Sequence, residues 1–192
     1  MKKRLAIFAS GSGSNAKKIV EYFKDHPTIE VALVVSNKAN AGVLDIAKSF
    51  NIETYVIPSK AEFTQTETLL QELYVSQIDF IVLAGFLWLI PEYLIEAYPN
   101  RIVNIHPALL PKYGGIGMHG IHVHTAVVAA GEKESGITIH YVDRVYDNGE
   151  HLFQAKVMLE PTDTPAVVQQ KVLALEHANF AQVIEKVVNT LP

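Results

Sequence analysis

What most narrows the folds open to this chain is the alternation of short apolar runs with helical patterns along its first hundred or so residues. Leu5-Ala6-Ile7-Phe8-Ala9 reads as a buried strand, and residues 14–24 then carry Ile19, Val20 and Phe23 at helical spacing. A strand at 31–36 precedes a helix at about 41–49, and a strand at 52–57 precedes a helix at 60–76 with Leu69, Leu70 and Leu73. The run at 79–84 is almost continuously apolar, which argues burial on both faces. A short helix at 91–97, opened by Pro91 at a first-turn position, leads to a strand at 101–105.

This order predicts an α/β fold, Rossmann-like, with a mostly parallel sheet, right-handed crossovers and helices on both faces. The pattern changes after His106. Residues 107–121 hold two Pro and four Gly and read as a long loop, a feature that compact domains usually reserve for function. A short helix at 123–130, strands at 137–142 and 152–159, and a long C-terminal helix at 163–188 follow, the last with Val168, Val172, Leu175, Val183 and Val187 on one face. With no repeat, low-complexity tract or linker, residues 1–192 are expected to form one domain.

Composition excludes several functions. At 192 residues the chain can bury a core without a staple, and 49% hydrophobic against 19% charged residues excludes a disordered role. Sixteen basic against twenty acidic residues give a net charge of -4, so no broad basic field awaits a nucleic acid. The absence of Cys removes disulfides, thiol nucleophiles and Cys-based zinc sites. The basic start at Lys2-Lys3-Arg4 is followed by an apolar run too short for a signal peptide, and no stretch nears the ~20 residues of a membrane span. A soluble cytoplasmic protein with no membrane or nucleic-acid partner is expected.

Ser10-Gly11-Ser12-Gly13-Ser14-Asn15 lies between the first strand and the first helix. Backbone N–H groups at a helix N-terminus, aided by the helix dipole, bind anions there. Gly11 and Gly13 let the chain turn tightly, and Ser14 and Asn15 can cap the helix or donate to a phosphate. With Ala16 the stretch also fits a loose dinucleotide fingerprint, but the second strand ends Ser36-Asn37-Lys38 with no carboxylate for a ribose. A small phosphorylated ligand is the better expectation, against a tight turn that holds nothing.

Asn104-Ile105-His106 closes the fifth strand, so Asn104 and His106 face one side at the end where open α/β sheets bind ligands. An amide donor beside an imidazole suits acyl transfer: one hydrogen-bonds a developing oxyanion, the other carries or shares a proton. A carboxylate from the acidic turn Asp143-Arg144-Val145-Tyr146-Asp147-Asn148-Gly149-Glu150 could orient the ring and favour its charged form. Asp147-Asn148-Gly149 alone is also an ordinary turn. His119, His122 and His124 cluster nearby, but His122 and His124 at i, i+2 do not share a helix face, so loop packing or ligand lining is expected over metal binding. His140, on a strand, is expected to be a satisfied inward-facing histidine.

Taken together, Asn104-Ile105-His106-Pro107-Ala108-Leu109-Leu110-Pro111, the early Gly11-Ser12-Gly13-Ser14-Asn15 and Ala84-Gly85-Phe86 resemble the glycinamide ribonucleotide formyltransferases of the folate-dependent formyltransferase superfamily, over nearly the whole chain. The resemblance implies transfer of a formyl group from 10-formyltetrahydrofolate, as co-substrate, to the amine of glycinamide ribonucleotide in purine biosynthesis, with no metal. It implies a phosphate-binding half at about 1–100 and a catalytic, folate-binding half at about 101–192. By position, Asn104, His106 and Asp147 match the catalytic trio. Gly13, Ser14 and Asn15 match the ribonucleotide-phosphate segment, and Glu176 matches a glycinamide contact, although its spacing alone suggests only a solvated helix face. Phe86, Leu87, Trp88, Leu89, Asn104, Arg144, Val145 and Tyr146 match the folate pocket. Monomer and homodimer both remain open. The chain departs from several relatives at Trp88, where they carry Arg, and near Lys60–Thr64, where Glu62 stands close to an expected basic residue. The loop at 112–124 is also longer than in some of them. Relatives that act on tRNA or hydrolyse the formyl donor normally carry further domains, for which this length leaves no room.

Overall fold

The computed structural model describes residues 2–191. Along them run β1 (Lys3–Phe8), α1 (Ser14–Phe23), β2 (Ile29–Ser36), α2 (Gly42–Ser49), β3 (Glu53–Val56), α3 (Lys60–Gln65), α4 (Thr68–Val75), β4 (Phe80–Leu83), α5 (Glu92–Ala97), β5 (Ile102–His106), α6 (Ile121–Ala129), β6 (Glu134–Tyr141), β7 (His151–Met158) and α7 (Pro165–Val188). The strands form one sheet in the order β3-β2-β1-β4-β5-β6-β7. β1 to β5 pair in parallel, whereas β5–β6 and β6–β7 are antiparallel. The antiparallel part begins after the long loop and α6. Residues 142–150 are too short a connection for a parallel crossover, so β7 must reverse beside β6.

Side-chain alternation divides the core between the two faces. Leu5, Ile7 and Ala9 pack in one layer with residues of α1, α2, α6 and α7, while Ala6 and Phe8 enter the other with Phe63, Leu73 and Leu94 of α3 to α5. Helices on both faces and the long C-terminal helix are therefore as the sequence predicts. Boundaries differ at several helices, three of them for visible reasons. The helix expected at 60–76 is two, because Thr66 is extended (φ -130°, ψ 157°) and its hydroxyl bonds back to the Glu62 carbonyl oxygen at 2.9 Å. Thr hydroxyls compete with helical hydrogen bonding in this way. Pro91 precedes α5 as its cap instead of occupying its first turn (ψ 153°). α7 starts at Pro165, with Thr164 Oγ1 accepting from Val167 N at 3.4 Å.

The sheet order fixes where a ligand can sit. β1 lies between β2 and β4, so successive crossovers leave in opposite directions and open a crevice beyond the strand ends. Ser10 ties its two lips: its N–H donates to the Gly85 carbonyl at 3.0 Å, and its Oγ accepts from Leu87 N at 3.0 Å.

Gly13 caps α1 with φ 79°, and a Cβ there would lie 2.7 Å from Val43 Cβ on α2. Gly13→Ala should therefore lower unfolding free energy by about 2–4 kcal/mol, from both backbone strain and overlap. In urea unfolding, Val43→Ala should not rescue Gly13→Ala, because alanine keeps the Cβ and Cα that the new methyl would meet at 2.7 and 2.8 Å. A Gly13→Ala loss no larger than about 1 kcal/mol would show that the close helix contact is not the cause.

Candidate active site

A cavity of about 550 Å³ opens where β1, β4 and β5 end. Its wall includes Ser12, Ser14 and Asn15 from the glycine loop, Phe86 to Ile90 after β4, Asn104 and His106 on β5, His140 on β6, Val145 to Asp147 in the acidic loop, and Glu176 on α7. That volume lies inside the usual range for small-molecule sites, and the mixture of apolar wall and few polar groups is typical of them.

Asn104, His106 and Asp147 converge. Asp147 Oδ2 lies 3.3 Å from His106 Nδ1 and accepts the Gly115 N–H at 2.9 Å. Its Oδ1 accepts from Asn104 Nδ2 at 3.4 Å and lies 3.7 Å from His140 Nε2. The other side of the His106 ring is also engaged, with Nε2 at 2.8 Å from the Tyr113 carbonyl oxygen. Both ring nitrogens thus face oxygens, and a ring carrying two protons satisfies both. Asn104 Nδ2 also lies 3.1 Å from His140 Nε2, and His140 Nδ1 is 2.8 Å from the Tyr141 carbonyl oxygen.

The acidic loop is held in shape before any ligand arrives. Asp143 accepts from Val145 N at 2.8 Å and from Asn148 Nδ2 at 2.7 Å. A Cβ on Gly149 would overlap the Tyr141 carbonyl oxygen, so only glycine allows that approach. Asp147 itself sits at φ 54°, a left-handed conformation that costs a non-glycine residue about 1 kcal/mol.

Electrostatics separates the two buried carboxylates. Burial pushes the Asp147 carboxyl up, but hydrogen bonds from His106 and His140, the His106 charge and the Gly115 N–H outweigh it and hold the group well below its ordinary value. Burial moves Glu176 the other way, above the usual range, although the Asn15 amide (Nδ2 to Oε2, 2.6 Å) and the His106 charge oppose it. His124 is pushed down by burial and by the His106 charge.

Most of the residues singled out from sequence line this cavity: Ser14, Asn15, Phe86 to Leu89, Asn104, His106, Val145 to Asp147 and Glu176. Trp88 leans on Phe63 (ring centroids 5.5 Å apart). Glu176 is buried and not on a solvated face. Two residues lie elsewhere. Gly13 packs against α2 as the cap of α1, while neither Ser14 nor Asn15 caps that helix; Asn15 instead reaches Glu176. Arg144 points outward and pairs with Glu92 at 2.5 Å and Glu96 at 3.2 Å on α5. Among the described residues, no group of three or more His, Cys, Asp and Glu is placed to hold a metal.

Sequence reasoning missed several members. His140 enters as the cross-strand partner of Asn104, which the antiparallel register alone reveals. The Tyr113 carbonyl and the Gly115 N–H are backbone groups with no sequence signal. Asn15 Oδ1 and His124 Nδ1 are buried without a partner on the cavity wall, where a ligand's donors or acceptors could meet them.

Because the folded state holds Asp147 below its ordinary value of 3.8, ionisation contributes stability that is present above that value and lost as pH falls through and below it. Asp147→Asn should therefore be less stable than the parent by about 2 kcal/mol near pH 6, with the gap closing as the pH falls from about 5 to about 2.5. Urea unfolding across that range measures it, and a pH-independent gap would contradict the charge-based account.

Comparison with known proteins shows the family. The sequence profile of the formyl transferase family matches residues 3–184. The chloroplastic phosphoribosylglycinamide formyltransferase of Arabidopsis thaliana is 42% identical over 188 residues, covering 95% of this chain and 64% of that protein. Its counterpart of the same name in Vigna unguiculata is 39% identical over 96% of this chain and 60% of its own length. This chain thus spans less than two thirds of either plant relative. The phosphoribosylglycinamide formyltransferase of Bacillus subtilis is 35% identical over 96% of this chain and 94% of its own. The crystal structure of phosphoribosylglycinamide formyltransferase from Bacillus halodurans superposes with a TM-score of 0.87 at 36% identity, covering 98% of this chain and 96% of that one. With its family motif, its fold and the clustered Asn104, His106 and Asp147 in agreement, the chain belongs to the formyl transferase family.

Proposed function

We propose that this protein transfers a formyl group from 10-formyltetrahydrofolate to the amine of glycinamide ribonucleotide, giving formylglycinamide ribonucleotide and tetrahydrofolate, a step of de novo purine biosynthesis. The convergence of Asn104, His106 and Asp147 on one cavity carries this proposal. The names of the bacterial and plant relatives support the choice of substrates. The proposed enzyme is a monomer or a homodimer. No helix among the described residues is long and apolar enough to cross a membrane. The cytoplasm is the proposed location, although the plant relatives are named as chloroplastic.

Asn104 donates to the formyl oxygen as the amine adds and negative charge collects there. Its amide donates to Asp147 Oδ1 at 3.4 Å, a long bond that an oxyanion can readily replace. His106 acts as a fixed positive charge beside that oxygen, held between Asp147 and Tyr113, with no N–H to spare. Asp147 stays ionised through the neutral range and orients the ring. The proton that the amine loses passes to the departing folate nitrogen through water, and no covalent enzyme intermediate is needed.

The rest of the cavity binds. No Lys or Arg lines it, so the ribonucleotide phosphate is held by backbone N–H groups at the α1 N-terminus with the hydroxyls of Ser12 and Ser14. Gly13 contributes the turn that exposes them. Asn15 and Glu176 take the glycinamide end. Phe86 to Leu89, Val145 and Tyr146 clasp the folate, with apolar Trp88 in place of the basic residue of several relatives. Arg144 serves the folate side indirectly, by bracing the acidic loop on α5.

Purified protein should release tetrahydrofolate only when glycinamide ribonucleotide is present. Release without it would point to hydrolysis instead. Asn104→Ala should lower kcat by about 10²–10³-fold, the usual cost of one oxyanion donor. Asp147→Asn should lower kcat while leaving KM for glycinamide ribonucleotide within a few-fold, and near-normal turnover in it would sink the assigned role.

A further inference from the structure

The His106–Asp147 pair is gripped by one short run of backbone that is fastened from outside the cavity. The Tyr113 carbonyl faces His106 Nε2 at 2.8 Å, and two residues later the Gly115 N–H donates to Asp147 Oδ2 at 2.9 Å. Tyr113 sits at φ 59°, a left-handed conformation that a non-glycine side chain keeps only where its surroundings enforce it. The enforcing group is Glu132, in the turn after α6. Its Oε1 accepts from the Tyr113 hydroxyl and from Lys112 Nζ, each at 2.8 Å. Lys112, Tyr113 and Glu132 border a second, smaller hollow of about 300 Å³ that shares no lining residue with the main cavity.

The two bonds to Glu132 are unequal. Lys112 is two-thirds exposed, and an ion pair there is screened and contributes little. The Tyr113 ring packs against the core, so its hydroxyl is delivered with little rotamer freedom left to lose. From the ring the chain continues directly into the carbonyl on His106.

We propose that the Tyr113–Glu132 hydrogen bond positions the reaction centre, setting the His106 ring and the Asp147 carboxylate through the backbone of residues 113–115 although neither side chain lines the cavity. Its kinetic consequence rests on the formyl-transfer proposal above; the positioning itself is measurable without substrate. A bond that merely fastened a surface loop would affect melting and leave the ring untouched.

The experiment compares Tyr113→Phe, Glu132→Ala, Glu132→Gln and Lys112→Met by steady-state kinetics, thermal unfolding and nitrogen-15 NMR of the His106 ring in the substrate-free protein. Tyr113→Phe and Glu132→Ala should each lower kcat about tenfold, with both KM values within twofold, because small misplacement of reacting groups is costly. Their His106 Nε2–H resonance should shift or broaden. Glu132→Gln, whose amide oxygen still accepts the hydroxyl, should recover most of kcat and the parent ring signal, and Lys112→Met should match the parent. Parent-like kcat and an unmoved ring resonance in Tyr113→Phe and Glu132→Ala, or losses confined to melting temperature, would overturn the proposal. Should the parent show no formyl transfer, the reaction assignment fails, while a moving ring resonance still upholds the positioning.

Discussion

A carboxylate whose side chain is only 10% exposed, like that of Asp147, cannot stay charged unless the protein replaces its lost water. Here the replacement comes from three separate parts of the chain: Asn104 and His106 on β5, the Gly115 N–H in the long loop, and His140 on β6. Each is oriented in turn by something else, His106 by the Tyr113 carbonyl and His140 by the Tyr141 carbonyl. Removing one partner of such a group leaves an uncompensated buried charge, which costs far more than the bond itself. The long loop, the acidic loop and the end of β5 are therefore interdependent, and the site exists only as their joint arrangement.

The sheet topology makes that arrangement possible. The chain still passes through a helix, α6, after β5, but β6 then runs antiparallel to β5, with His140 opposite Asn104 and Thr138 opposite His106. The short link from β6 to β7 then carries Asp147 back over the strand end. Thr138 also anchors the long loop, its hydroxyl bonding the Ala108 carbonyl oxygen at 2.7 Å and accepting from Leu110 N at 3.0 Å. One change of strand direction thus supplies a histidine and a carboxylate of the candidate site and a loop anchor.

How legible the protein was from sequence depends on the range of the forces involved. Strands such as 79–84 are read easily because continuous burial writes itself into composition, and Asn104 with His106 share a face by strand geometry alone. Helix ends were harder, since the break at Thr66 turns on one hydroxyl and the cap at Pro91 on one ψ angle. Spacing alone left Glu176 on a solvated face, because its burial depends on how α7 crosses α1 to meet Asn15. Arg144 was assigned inward by position in a motif, but Glu92 and Glu96, about fifty residues earlier in sequence, draw it out. Backbone contributors leave no trace in residue type. Tyr113 and Gly115 act through main-chain groups, and only the fold shows where these point.

The two buried carboxylates on one wall show how environment, more than residue type, divides chemical labour. Asp147 is surrounded by donors and a cationic ring and is held down, whereas Glu176 has one amide donor and deep burial and is pushed up. Opposed shifts of this kind separate roles within a site. Asp147 remains the permanent anion that fixes the ring. Burial favours the neutral form of Glu176, and a neighbouring positive charge would favour its ionised form. No Lys or Arg stands on the wall, and Asp147 faces the His106 ring at 3.3 Å instead. In the proposed reaction, a phosphate at the α1 N-terminus and an amine near Glu176 are therefore each met by a different local field.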